Sequence, residues 1–309
     1  MMSTRPLVVS VPTDSLFESF ASKIDDVEVL KWNLSDPAPQ DIIDLVVLPY
    51  MSDLGVLKNL ASITTQLVQS QAIGYDGVEA VLPAGLVFAN AAGVHETSTA
   101  ELTMALILAS QRGIADFVRD AAAGRWKRRL FNSLADRNVL IVGYGGLGKA
   151  IEQRLLPFEV SISRVATRER RDEHGAIYSV SSLPSLLPDF DIVVVCVPLT
   201  DSTRGMIDDH FLSLMREGSL LVNVSRGLVA DTEALLRHAT SGRLRLALDV
   251  TDPEPLPDHH PLFALENVLI SPHVGGASSA MFPRVTRMIE DQIHRLQNGD
   301  QPINIVLRS

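Results

Sequence analysis

A single cysteine in 309 residues, Cys196, excludes an intrachain disulfide and any thiolate metal cluster. It lies in the apolar run 192–197 and reads as a small buried hydrophobe. Positive charge is also short, with 27 Lys and Arg against 37 Asp and Glu, a net −10. That balance argues against a general nucleic-acid or anionic-membrane binder, and leaves open small anions met in a local pocket. No apolar run approaches the ~18 residues of a membrane span, and residues 1–9 do not fit a secretory signal. The cytoplasm is the expected setting. The eight histidines are scattered, so no metal site is expected. Neither an internal repeat nor a low-complexity tract is present.

What the chain does have is length for about two domains and 46% hydrophobic residues, enough for large cores. Up to residue 95, short apolar runs at 7–11, 27–32, 45–49, 67–73 and 86–90 alternate with polar or helical stretches, which reads as a small parallel α/β unit. Residues 97–112 predict a long helix. The basic run 125–129 that follows reads as a solvated arm or a subunit contact. Further apolar runs at 161–167, 177–180, 191–197, 219–224, 244–250 and 267–270 are continuous rather than alternating, as for strands covered on both faces. Residues 281–298 predict a final amphipathic helix.

The most informative stretch is 138–149. Residues Val139 to Val142 form a β-prone run that enters Gly143-Tyr144-Gly145-Gly146-Leu147-Gly148, and a helical pattern follows at once. Strand, glycine turn and helix in this order fit a dinucleotide pyrophosphate. Gly143 permits the tight turn, Gly145 lets phosphate approach the backbone, and Gly148 lets helix and strand pack closely. The helix start offers N–H groups and partial positive charge.

Four other segments carry candidate chemistry. Arg226 follows a buried strand, where its fork can bind a carboxylate or make a structural salt bridge; local sequence favours neither. Glu254 sits among prolines after the run ending at Val250, in a segment that alone reads as a surface turn. His273 lies between a strand end and the glycine pair Gly275-Gly276, a setting suited to proton transfer. His259 and His260 lack that setting and read as loop packing. The turn 71–76 has small residues and reads equally as an anion nest or a plain turn.

Together these motifs resemble the D-isomer-specific 2-hydroxyacid dehydrogenases over nearly the whole chain, nearest to the NADP-preferring glyoxylate/hydroxypyruvate reductases. The resemblance implies two Rossmann-like, doubly wound α/β domains with the active site in the cleft between them. Residues 1–95 plus 281–309 would bind substrate, and 96–280 would bind the dinucleotide and include the crossing helix. It implies that Arg226 holds the carboxylate and carbonyl region, that His273 is the acid/base, and that Glu254 is its partner. A formate dehydrogenase would carry glutamine in place of Glu254. Ile73 and Gly74 would offer amides to the substrate. Gly143, Gly145, Gly146, Leu147, Gly148, Val197, Pro198, Thr203, Asp249 and Gly275 would line the cofactor, with Asp249 at the nicotinamide amide. His95 is an unusual residue at its place and reads as a helix start, with a cleft residue the alternative. An ionised Glu254 favours the imidazolium, the form that donates a proton to a developing alkoxide.

One place departs from the common pattern. NAD-binding members carry an acid at the end of the second strand of this domain, and here Thr167 and Arg168 stand there. Arginine suits a 2′-phosphate, so NADP(H) is expected to be preferred with NAD(H) possible, and Arg164, Arg170 and Arg171 are expected to add positive potential. Glu169 is the alternative ribose ligand. The expected protein is a cytoplasmic, homodimeric enzyme acting on a small 2-oxo acid, without nucleic-acid or membrane partners. The alternatives are a nucleotide-sensing corepressor of the same fold and a phosphoglycerate dehydrogenase.

Overall fold

Val, Leu and Ile fill the short runs that become strands, because branched side chains suit a pleated surface covered on both sides. The structure, a computed structural model, describes residues 5–309. It divides into two units, Met1–His95 with Ser279–Ser309, and Glu96–Ser278. The first begins with β1 (Leu7–Val11), α1 (Asp14–Phe20), β2 (Val27–Lys31), β3 (Leu45–Val47), β4 (Leu67–Gln69) and β5 (Val87–Ala89). Thr13 caps α1 by accepting from the Leu16 amide at 3.4 Å.

The second unit opens with α2 (Glu96–Arg112) and α3 (Ile114–Ala122). Gly113 separates these helices in the left-handed region at φ +62°, with the Phe131 ring packed where a side chain would stand. Then come β6 (Asn138–Val142), α4 (Gly146–Leu155), β7 (Ser161–Ala166), β8 (Arg170–Asp172), β9 (Gly175–Ser179), α5 (Leu183–Leu186), β10 (Ile192–Val195) and α6 (Asp209–Leu214). The unit closes with β11 (Leu220–Asn223), α7 (Thr232–Thr240), β12 (Arg245–Leu248) and β13 (Val268–Ile270).

The sheet order is β13-β12-β11-β10-β6-β7-β9-β8. All pairings are parallel except β8 with β9. Alternate side chains go to opposite faces. Val139, Ile141, Val194 and Val222 pack with residues of α2 and α4, while Leu140, Val142, Val193 and Val195 pack with residues of α6 and α7. From β6 the chain builds outward one way through β7 and β9, and the other way through β10 to β13. Sheets that reverse like this bind ligands at the carboxyl ends of the strands beside the switch, here β6 and β10.

The chain returns to the first unit as α8 (Met281–Asn298) and β14 (Ile305–Arg308). The first unit's sheet runs β14-β5-β4-β3-β1-β2, with β14 antiparallel to β5. Helix α8 buries Val285, Met288, Ile289 and Ile293 beside strand residues Val9, Leu45 and Leu67. Its Gln292, fully buried, donates to Gln69 Oε1 at 2.7 Å and to the Ile303 carbonyl at 2.9 Å, which fixes the approach to β14. Helix α3 and strands β8 and β14 have no counterpart among the sequence expectations.

Candidate active site

Each glycine of the turn meets a different constraint. Gly143 has φ +107°, and a Cβ there would lie 2.6 Å from the Cys196 carbonyl oxygen and 2.9 Å from the Val197 amide. The exit of β10 therefore presses directly on the turn. A Cβ on Gly148 would run into the Gly143 carbonyl. Gly145 is different, with open space where its side chain would be. That opening, beside the amino end of α4, has the room and the N–H donors that a dinucleotide phosphate needs. Leu147 packs partly into the core behind it. Cys196 Sγ sits 3.0 Å from the Gly143 carbonyl, and burial pushes the thiol up to about 12, so it stays protonated and unreactive at neutral pH.

The loops after β10, β11, β12 and β13 emerge at the same sheet edge. After β10, Val197 is buried and Pro198 exposed. The Thr203 hydroxyl donates to the Pro198 carbonyl at 2.7 Å and accepts from the Thr200 amide at 2.8 Å, which rounds the loop. After β11, Asn223 is buried and its Oδ1 accepts from the Ser225 amide at 3.1 Å and the Ser225 hydroxyl at 2.6 Å. This turn presents Arg226, half-buried, with Nη1 donating to the Ser225 carbonyl at 2.7 Å. Gly227 leaves no room for a Cβ against the Thr251 carbonyl, so the Arg226 loop lies on the backbone leading to Glu254. The Thr232 hydroxyl joins the same backbone by donating to the Asp252 carbonyl at 2.5 Å.

Asp249 holds the histidine loop. Asp249 is 3% exposed, and its carboxylate accepts from the Ser271 hydroxyl at 2.6 Å, the Val274 amide at 3.0 Å and the Gly275 amide at 2.9 Å. A Cβ on Gly275 would lie 2.9 Å from that carboxylate. The His273 amide bonds the Asp249 carbonyl at 2.8 Å, and His273 adopts φ +53°, a conformation uncommon for a side chain of its size. Held so, its Nδ1 meets Glu254 Oε1 at 2.5 Å. The side chains keep 27% and 39% of their surface exposed, so the imidazole has an open side. The local sequence assigns no partner to Asp249, because its three contacts lie more than twenty residues downstream.

At the other end of the edge, β7 stops at Ala166, and Thr167, Arg168 and Glu169 are exposed in the turn to β8. Arg164 corrects an expectation. It does not add to a positive surface: it is 3% exposed and pairs with Asp172 at 3.0 Å and Glu152 at 3.4 Å. Position four of β7 points into the protein, and only charged partners make an arginine tolerable there. Tyr144 is likewise buried; desolvation and Glu152 raise its hydroxyl's pKa, and it donates to Glu152.

In the first unit, Ile73 and Gly74 lie in a half-buried turn after β4. The Ala72 amide donates to Ser70 Oγ at 3.0 Å and Asn90 Nδ2 to the Ile73 carbonyl at 2.8 Å. His95 precedes α2, buried, with Nε2 at 2.6 Å from the Gln71 carbonyl and its ring stacked on Tyr50 at 5.7 Å. His260 Nδ1 accepts from the Leu262 amide at 3.3 Å, a loop contact.

The family model for the NAD-binding domain of D-isomer specific 2-hydroxyacid dehydrogenases matches residues 104–275. The chain belongs to this family. It is 31% identical over 306 residues to a glyoxylate reductase of Thermococcus onnurineus, covering 94% of this chain and 86% of that one. A mouse glyoxylate reductase/hydroxypyruvate reductase is 32% identical, covering 82% and 83%. Among solved structures, a protein from Thermus thermophilus superposes with a TM-score of 0.79 at 28% identity, over 97% of this chain and 99% of that one. An NADPH-dependent glyoxylate/hydroxypyruvate reductase of Sinorhizobium meliloti, solved with NADP and sulfate, gives 0.83 at 24% identity, over 98% of each, and shares the fold. This 2-hydroxyacid dehydrogenase is therefore an NAD(P)-dependent oxidoreductase that interconverts 2-oxo and 2-hydroxy acids. No helix among the described residues is long and apolar enough to cross a membrane.

Proposed function

We propose that the protein reduces a small 2-oxo acid of the glyoxylate or hydroxypyruvate type, preferring NADPH and accepting NADH. The observation that carries this reading is the His273–Glu254 contact of 2.5 Å, on the same sheet edge as Arg226 and the glycine turn. When bound, the nicotinamide supplies the hydride. Arg226 binds the substrate carboxylate in the second unit, and in the first unit the turn at Ile73 and Gly74 offers its amides for substrate binding. His273 Nε2 delivers a proton to the developing alkoxide oxygen, while Nδ1–H donates to Glu254 and holds the ring. Asp249 keeps that ring in place through its loop and offers its remaining lone pair to the nicotinamide amide. Gly143, Gly145, Gly146, Leu147 and Gly148 take the pyrophosphate, Val197, Pro198, Thr203 and Gly275 flank the cofactor, and Thr167 with Arg168 takes the ribose end. The relatives named for glyoxylate and hydroxypyruvate reduction support the substrate class, and the exposed Arg168 supports NADPH. Residues 1–95 with 281–309 form the substrate domain, and 96–280 the dinucleotide domain.

The working form is a cytoplasmic homodimer. A setting without disulfides suits the lone Cys196. After the crossing helix, α3 exposes Phe117 and Val118, and the arm beyond it leaves Trp126 and Leu130 fully exposed, and this apolar surface supports the dimer. A second copy seated there would cover these apolar side chains.

The test is a screen of glyoxylate, hydroxypyruvate, pyruvate and acetone with each cofactor, followed at the nicotinamide absorbance. The 2-oxo acids should turn over and acetone should be a poor substrate. Equal kcat/KM for pyruvate and acetone would remove the carboxylate site from the account. Light scattering on the purified protein tests the dimer, which a monomer mass would rule out.

A further inference from the structure

We propose that Tyr144, Arg164 and Asp172 form a strut around the buried Arg164 guanidinium that sets cofactor selectivity by positioning the turn after β7, without touching the cofactor. The inference rests on the reading that this turn, through Thr167 and Arg168, receives the ribose end of the dinucleotide.

The strut ties three elements to one guanidinium. Arg164 Nη1 lies 3.0 Å from Asp172 Oδ1 on β8 and 3.4 Å from Glu152 Oε1 on α4. Its Nη2 donates to the His174 carbonyl at 2.5 Å, at the tip of the β8–β9 hairpin. Its carbon lies 5.3 Å from the centroid of the Tyr144 ring in the glycine turn, and the Tyr144 hydroxyl donates to Glu152. The tip itself is fitted to the guanidinium: Gly175 has φ +111°, and a Cβ there would come within 3.3 Å of Arg164 Nη2. Arg170, the first residue of β8, adds a second tie by donating to the Tyr144 carbonyl at 3.1 Å. Residues 167–169 are thus pinned on the β7 side by Arg164 and on the β8 side by Arg170, and both pins end on Tyr144.

Burying charge in this way carries a desolvation cost that an apolar core would not, so stability alone does not account for the arrangement. Position does. Arg168 is exposed and belongs to a short turn at the sheet's edge, so the anchors on either side decide where its fork points. A 2′-phosphate is bound by short charge-assisted hydrogen bonds that a small displacement breaks. NADH has no such group to lose. Loosening the strut therefore weakens NADPH and leaves NADH nearly unaffected.

The experiment measures kcat/KM for NADPH and NADH, with melting temperatures, in wild type, Tyr144→Phe, Asp172→Asn, Arg168→Asp and the double variant Tyr144→Phe/Arg168→Asp. Tyr144→Phe keeps the ring under Arg164 and removes one hydroxyl; Asp172 is 29% exposed, so its amide variant should fold. Each should lower the NADPH:NADH ratio about three- to tenfold, the scale of one lost hydrogen bond, through KM for NADPH. Asp172→Asn should keep its kcat with saturating NADH. The double variant should show the ratio of Arg168→Asp alone, because the strut acts through Arg168. If Arg168→Asp moves the ratio while Tyr144→Phe and Asp172→Asn only lower the melting temperature, the network is structural and the inference falls. If Arg168→Asp leaves the ratio unmoved, the cofactor reading and the strut fall together.

Discussion

At the scale of single residues, the chemistry depends on how few positions each group can occupy. Arg226 is presented by a turn built on Asn223 and Ser225, and it is backed by Gly227 against the Thr251 carbonyl. A lysine there keeps the charge and loses the fork, so Arg226→Lys should lower kcat/KM for a 2-oxo acid about ten- to a hundredfold, the range of a charge-assisted bond. Unchanged kcat/KM would mean that the fork does not hold the carboxylate. Glu254→Gln preserves size and removes the charge that His273 Nδ1 meets at 2.5 Å. Reduction at neutral pH should slow about tenfold or more, with the melting temperature nearly unmoved because both side chains are partly exposed. The sequence made the residue types and their strand-end positions readable. It did not show the Asp249 clamp or the buried Arg164, because what each side chain meets depends on contacts far along the chain.

At the scale of elements, legibility followed burial. Runs such as residues 192–195 and 220–223 are apolar because both sheet faces are covered, and each became a central strand. Strand β8, Arg170-Arg171-Asp172, carries no apolar signal, since it is an exposed edge held by its hairpin and by the pairs of Arg164. Helix α3 is not legible in the sequence because Gly113 reads as the end of the crossing helix rather than a break between two helices. The glycine turn is the element with the sharpest mutational signature. Gly148→Ala would set a methyl group against the Gly143 carbonyl, in backbone that cannot yield cheaply. Overpacking of this kind should cost about 1–3 kcal/mol, read as a lower urea midpoint, and should weaken cofactor binding as well. A variant as stable as wild type would show that helix α4 can slide on β6.

At the scale of the whole molecule, acid stability is set in part by one carboxylate of the first unit. Asp44 is buried, and burial opposes its ionisation. The Arg5 fork at 2.7 and 2.8 Å, the Val8 amide at 2.9 Å and Gln66 at 2.8 Å outweigh that and hold its pKa below the usual carboxylate range. A depressed folded-state value stabilises fully above the unfolded-state value of about 3.9 and is lost as pH falls through the lower folded value. Asp44→Asn should therefore lower unfolding free energy by about 1–3 kcal/mol at neutral pH, with the difference narrowing below about pH 4. A difference that does not change with pH would separate the effect from ionisation. The central claim, however, is that one histidine gives the proton in a nicotinamide-linked reduction. The most direct measurement is kcat for glyoxylate reduction at pH 7 with saturating NADPH, in wild type and His273→Ala. The account predicts a fall of roughly 10²–10⁴ with cofactor binding retained, the range for a lost general acid. Near-wild-type turnover by His273→Ala would contradict it.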